Sequence, residues 1–308
     1  MPLCALSVDL DEIPNYFAIH GLAPPVGQGA TAVYDIALER LDAFARAADV
    51  PLTLFAIGSD LTRPASAARL RYMANRGHEV ANHTQDHLYD LTRQSRSAIA
   101  AQIADGVESI AQATGYRPTG FRAPGYTVND VVFDVLAELE VAYGSSVFPC
   151  PPYYLAKAAA LLKIKLMGRD SRSVLDVPSV LRAPTEPYRV GRPYWTRGSG
   201  ILELPVQVTR GPRLPFIGTT LVMAGPAHAR LLSRMVAGAP LVNLELHGID
   251  VLDAGDGFPE LLGHQFDAGI SHQKKLASLV TTVEALREAG YSFVRLDEAA
   301  AAFARPAG

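Results

Sequence analysis

Two histidines four positions apart, His83 and His87, stand in the stretch GHEVANHTQDHLYDL at 77–91. Their imidazoles share one face if the chain turns helically after Asn82. Alone, such a pair is weak evidence for a metal and leaves a structural or surface role open. Upstream, SVDLDE places Asp9 and Asp11 two residues apart, on the same side of an extended strand. Imidazole nitrogen and carboxylate oxygen together hold divalent metals such as zinc, and a catalytic site of this kind keeps one position open for water. Two carboxylates there can divide the labour, one ligating the metal and the other taking a proton from the attacking water. Arg122 in FRAPGY and His247 at the end of LVNLELH add a guanidinium and a third imidazole. Each has a plainer reading: a solvated acidic strand end, a turn arginine, a satisfied strand-end histidine. Their concurrence favours a site. His20, His78, His228, His264 and His272 stand outside these motifs and read as structural or solvated.

The elements that must position these groups alternate. Apolar runs predict strands at 3–10, 52–58, 78–83, 119–124, 141–146, 201–206, 241–247 and 292–296. Helical spacing predicts helices at about 31–48, 64–76, 95–114, 128–139, 226–237 and 271–289, with a last helix after 296. Strands joined by crossover helices imply parallel pairing buried on both faces. Seven or eight such units in 308 residues suggest one α/β domain, a complete or distorted (β/α) barrel, rather than two domains. In such barrels catalytic groups gather at the C-terminal strand ends. Asp9, Asp11, His83, His87, Arg122 and His247 all fall there. Tyr16, Phe17 and His20 lie in a long loop at 12–30 that either roofs the site or only packs.

With these motifs in place, the chain resembles the polysaccharide deacetylases, the NodB-homology group of carbohydrate esterases. GHEVANHTQDH is similar to that family's metal-binding motif, FRAPGY to its arginine–proline–tyrosine motif with Gly125 inserted, and LVNLELH to its late histidine strand. SVDLDE takes an Asp-x-Asp form similar to the branch of intracellular deacetylases and lipid-linked formamido-sugar deformylases. The likeness spans about 3–296, poorly at 148–200, which reads as an insertion in a single 1–308 domain. It implies a NodB-type distorted barrel and a divalent metal on Asp11, His83 and His87. Zinc is the first expectation, and cobalt, nickel, manganese and iron are alternatives. It further implies Asp9 as general base held ionised and oriented by Arg122, and His247 as the acid that protonates the leaving amine. The segment Pro124–Tyr126, through the backbone amide near Tyr126, would help to bind the oxyanion. A supporting acid and tryptophan for the histidine are not clear; Asp176, Asp250 and Trp195 are weak candidates.

The resemblance implies removal of an acetyl or formyl group from an amino sugar or glycan intermediate. Hydrolysis of a cyclic amide or ureide on the same fold is the alternative, and an inactive carbohydrate-binding protein is a second. Apolar residues at 49%, charged residues at 19% and a net charge of −3 describe a packed chain without a basic footprint for nucleic acid. Cys4 and Cys150 are too few for a disulfide framework and read as buried apolar residues. The opening MPLCALSVDLDE lacks a leader pattern, which makes a cytoplasmic location the expectation. A nucleotide- or polyprenyl-linked substrate fits that location. The apolar, lysine-bearing stretch 153–169 is too short to span a bilayer. It reads as a helix packed on the barrel or as peripheral membrane contact at the inner face.

Overall fold

The computed structural model describes residues 1–25 and 27–304. The strands are β1 (Leu3–Asp9), β2 (Leu52–Ala56), β3 (Glu79–Asn82), β4 (Gly120–Phe121), β5 (Tyr143–Gly144), β6 (Tyr188–Val190), β7 (Arg197–Glu203), β8 (Leu241–His247) and β9 (Ser292–Phe293). The helices are α1 (Ile13–Ile19), α2 (Leu38–Ala48), α3 (Pro64–Asn75), α4 (Arg96–Thr114), α5 (Asp130–Glu138), α6 (Pro151–Leu166), α7 (Gly218–Val236), α8 (His272–Glu288) and α9 (Leu296–Ala304). Local chemistry sets several boundaries. Ser95 and Asn129 accept the Ala98 and Val132 amides at the starts of α4 and α5, and Pro64 opens α3.

The sheet runs β6-β7-β5-β4-β3-β2-β1-β8, with β9 paired to the start of β1. Every pairing is parallel except β6 with β7. The sheet curls toward closure: the Gln207 amide, just past β7, donates to Asn243 O at 3.1 Å on β8. A distorted (β/α) barrel results, as the alternation of elements implied.

Side-chain alternation divides the strands into two faces. On β1, Cys4, Leu6 and Val8 pack outward in one apolar cluster with residues of α2, α7 and α8, among them Leu41, Leu221 and Leu279. The odd positions point inward. Ala5 joins Phe55, Ala81, Tyr143 and Leu241 in the interior, which α9 closes from below with Leu296 and Ala299. Further along β1 the same inward face carries Ser7 and Asp9, and on β8 it carries Asn243, Glu245 and His247. The polar groups therefore rise along the interior toward the C-terminal rim.

The segment 148–200 holds the helix expected at 153–169 and adds a hairpin that its prolines did not announce. It contains the 16-residue helix α6 and most of the β6–β7 hairpin, which extends the sheet edge. β7 begins at Arg197 rather than at 201, and α7 begins at Gly218 rather than at 226, bent at Gly225 where φ is 77°. The expected loop at 12–30 holds α1, which Pro14 opens. α6 buries no side chain fully, so it lies against the barrel rather than within its packing. No helix among the described residues is long and apolar enough to cross a membrane.

Candidate metal and acid–base centre

Four strand ends converge as anticipated. His83 Nε2 lies 3.3 Å from Asp11 Oδ1, His87 Nε2 lies 3.1 Å from Asp11 Oδ2, and the two Nε2 atoms are 3.2 Å apart. All three residues are buried. Bonds of 2.0–2.1 Å to a tetrahedral zinc place neighbouring ligand atoms about 3.3 Å apart. His83 Nδ1 lies 2.8 Å from the Arg122 carbonyl oxygen, and donation there leaves the Nε2 lone pair facing its neighbours. Asp11 Oδ1 has no hydrogen-bond partner although it is buried. A divalent cation suits this donor set, and Asp11, His83 and His87 are the residues that would hold it.

The histidine pair is not helical, contrary to the simplest reading of its spacing. Thr84 (φ 70°) and His87 (φ 52°) both occupy the left-handed region. Neighbours hold that turn in place. Asn82 Oδ1 accepts from the Thr84 amide, and Thr84 Oγ1 accepts from the His87 amide, each at 3.0 Å. The Gly58 amide, just past β2, donates to Thr84 O at 3.0 Å, and the Gln85 amide donates to Gln102 O on α4 at 2.8 Å.

Asp9 lies beside the trio, its Oδ2 3.8 Å from His83 Nε2. Its Oδ1 is 2.6 Å from Arg122 Nη1, and both residues are sealed from solvent. Arg122 spends three further donors on Ser145 O, Ser145 Oγ and Ser7 Oγ, each at 2.8 Å, and stacks 4.1 Å over the Phe55 ring. With four of its five N–H donors so committed and no exposure to solvent, this guanidinium serves to orient Asp9.

Burial opposes charge on each of these groups, and their partners decide the outcome. For Asp11 the two imidazoles outweigh burial and hold the carboxyl well below the usual range. His83 is raised because Asp9 and Asp11 outweigh burial, whereas for His87 burial prevails and its pKa falls.

His247 pairs in register with Asp9 across β1 and β8. Its Nδ1 lies 2.8 Å from Glu245 Oε1, an acid that the motif search did not single out. The clue was legible: in LVNLELH the alternation puts Asn243, Glu245 and His247 on the same inward face. Asp250 touches the His247 backbone instead, accepting its amide at 2.8 Å. Asp176 sits elsewhere, accepting from Tyr194 Oη and the Val177 amide, while Trp195 packs edge-on against Tyr194. Pro124 and Tyr126 fall in a tight turn where Gly125 has φ 61°. The Tyr126 amide donates to Ala123 O at 3.2 Å, so the ring of Tyr126, rather than its N–H, is what faces His247.

Two segments roof the centre. α1 brings Tyr16 edge-on to His247, and α6 brings Tyr153 against Tyr126 and Phe148, while Lys157 Nζ donates to Gly125 O at 3.0 Å. The chain after α6 then reaches α1, where the Arg172 amide donates to Ala18 O at 3.3 Å. Tyr16, Tyr89 and Tyr126 each keep a buried hydroxyl without a hydrogen-bond partner.

Residues 28–144 match the family model for polysaccharide deacetylase. That span contains His83, His87 and Arg122 and omits Asp9, Asp11, Glu245 and His247, whose places rest on the geometry above. No curated protein matches the chain. Among solved structures, one from Mycobacterium smegmatis described as a polysaccharide deacetylase aligns at 18% identity, covering 95% of this chain and 93% of that one, with TM-score 0.52. The Xyl-CE4 domain of a multidomain xylanase from the hindgut metagenome of Trinervitermes trinervoides aligns at 13%, covering 99% and 92%, with TM-score 0.51. A pseudoenzyme of carbohydrate esterase family 4 from Bacillus anthracis aligns at 12%, covering 97% and 65%, also at 0.51. The polysaccharide deacetylase fold is thus established for this chain, and identities this low speak to fold alone. Its chemistry has to be argued from the residues.

Proposed function

We propose that this protein is a metal-dependent hydrolase that removes an N-acyl group, acetyl or formyl, from an amino sugar or glycan intermediate. One observation carries the reading: a carboxylate and two imidazoles with metal-ligand spacing, flanked by a second carboxylate and a third imidazole. A divalent cation bound by Asp11, His83 and His87, zinc or another of the first-row metals, supplies Lewis acidity to the acyl carbonyl and to water. Asp9, oriented by Arg122, takes the proton of the attacking water. His247 donates a proton to the departing nitrogen. The unpartnered tyrosine hydroxyls around the centre are available to a polar substrate such as a sugar.

The Asp-x-Asp form and the outer face of α6 refine this reading. Leu155, Leu162, Leu166 and Met167 are exposed, beside Lys163 and Lys165 in the last turn. Through His20, which touches both Arg169 and Gln265, this face continues to Leu262 and Phe266, the latter 83% exposed. Apolar side chains among cations fit an anionic lipid surface. We place the enzyme in the cytoplasm at the inner membrane face, acting on a polyprenyl- or nucleotide-linked sugar.

The test is turnover of the zinc-loaded protein on N-acetyl and N-formyl amino sugars against cyclic ureides. Release of acetate or formate is expected, and Asp9→Asn should abolish it while keeping the metal. Turnover of ureides alone, or full activity in Asp9→Asn, would overturn the assignment.

A further inference from the structure

The motifs read from the sequence leave the His247 ring without a partner, and the barrel interior supplies one. Glu245 stands two residues earlier on β8, so both side chains leave the strand on the same face. It is wholly buried, and neither of its oxygens has a hydrogen-bond partner among the described residues beyond the His247 Nδ1 at 2.8 Å. A buried carboxylate with no donor is strongly disfavoured unless a cation stands against it. Arg122, whose charge also acts on Glu245, makes its hydrogen bonds to Asp9, Ser7 and Ser145 instead. The imidazolium of His247 is therefore the counter-ion in direct contact with Glu245.

We propose that Glu245 is the positioning residue of His247: it anchors Nδ1, leaves Nε2–H for the reaction, and keeps the ring cationic until the proton is delivered. The proposal rests on the N-acyl hydrolase reading, in which the His247 Nε2 proton passes to the leaving nitrogen as that atom takes the electron pair of the breaking C–N bond. His247 ends neutral and Asp9 ends holding the proton from water. Three further contacts restrict the residue. Asp250 accepts its backbone amide, and Tyr16 and Tyr126 stand edge-on to the ring at 6.3 Å each.

The charged and titratable groups around His247 are Glu245, Asp9, Asp11 and Asp250, with Tyr16 and Tyr126 beside the ring and Arg122 beyond Asp9. Burial by itself pulls the imidazole down. The charge and hydrogen bond of Glu245, with the charges of Asp9 and Asp11, together outweigh it and hold the ring protonated well above the usual histidine range. A general acid with a raised pKa sets the alkaline limb of the rate profile, because activity is lost as pH rises through that pKa.

Glu245→Gln in the zinc-loaded protein keeps the shape and removes the charge. NMR titration of the His247 ring should show its pKa lower by about one unit or more. The alkaline limb of kcat/KM should move to lower pH by the same amount, and kcat should fall roughly 10- to 100-fold with KM little changed. Glu245→Asp, which retains the charge, should recover part of the titration shift; it also serves as the test should the Gln variant not fold. An unchanged His247 titration in Glu245→Gln, or a displaced titration with an unmoved alkaline limb, would overturn the proposal. If the wild-type protein hydrolyses no N-acyl amino sugar, the functional reading fails, and the ring titration still decides whether Glu245 and His247 are paired.

Discussion

Arg122 and His87 illustrate two ways in which a single side chain serves this centre. Arg122 is fully buried, spends four of its five donors on Asp9, Ser7 and Ser145 and stacks on Phe55, so its charge serves to hold one carboxylate still. His87 instead keeps Nδ1 without a hydrogen-bond partner and commits only Nε2, beside Asp11 and His83. Removing it leaves two protein donors where a zinc site needs at least three. His87→Ala should therefore lower zinc from about one per chain to near none by elemental analysis. Asp9→Asn, outside the trio, should leave that content intact. Equal zinc content in wild type and His87→Ala would mean that the ligands lie elsewhere.

At the scale of elements, the turn at 83–87 depends on how closely α4 approaches it. A Cβ built on Gly106 would stand 2.5 Å from Asn82 Oδ1 and 2.9 Å from the Thr84 carbonyl carbon. Glycine is thus required where the helix backs onto the residues that shape the turn. Gly106→Ala should destabilise the fold by about 1–3 kcal/mol in chemical denaturation. It should also weaken zinc binding at least about tenfold by calorimetry, because Asn82 and Thr84 fix the histidine geometry. Stability and affinity unchanged from wild type would show that the turn tolerates the push. This turn marks a boundary of what the sequence reveals. The residue types at 83 and 87 announced a ligand pair, but nothing local to Thr84 or His87 favours positive φ; neighbouring strands and α4 impose it. Glu245 was the converse case, fully visible in the alternation of LVNLELH yet unremarkable until the structure set it against His247 Nδ1. The strand–helix rhythm up to residue 146 was legible because its apolar periods are clean. α6 was legible as a helix in the apolar, lysine-bearing stretch 153–169, whereas the β6–β7 hairpin was obscured by the prolines before it.

For the whole molecule, the interior polar column and the exposed apolar rim give the barrel a direction. α9 closes the bottom, the acid–base groups stand at the top, and α6 presents Leu162 and Leu166 outward from the same end. If that face meets lipid, the protein should co-sediment with vesicles rich in anionic phospholipid and much less with phosphatidylcholine alone. Raised salt should weaken binding, since the lysine contribution is screened. Leu162→Glu with Leu166→Glu should abolish co-sedimentation and leave the circular dichroism of the fold unchanged. Wild-type protein that ignores anionic vesicles would remove the membrane from the picture while leaving the centre untouched.

The three residues with metal-ligand spacing are at most 5% exposed, under a roof formed by α1 and α6. If this centre holds the proposed cation, burial of its ligands would shield that ion from a chelator until the roof parts. Demetallation then becomes a clock for that opening: once chelator is in excess, adding more does not hasten release. A substrate of the kind proposed would have to pass the same two segments, so ion release and substrate entry would share one route.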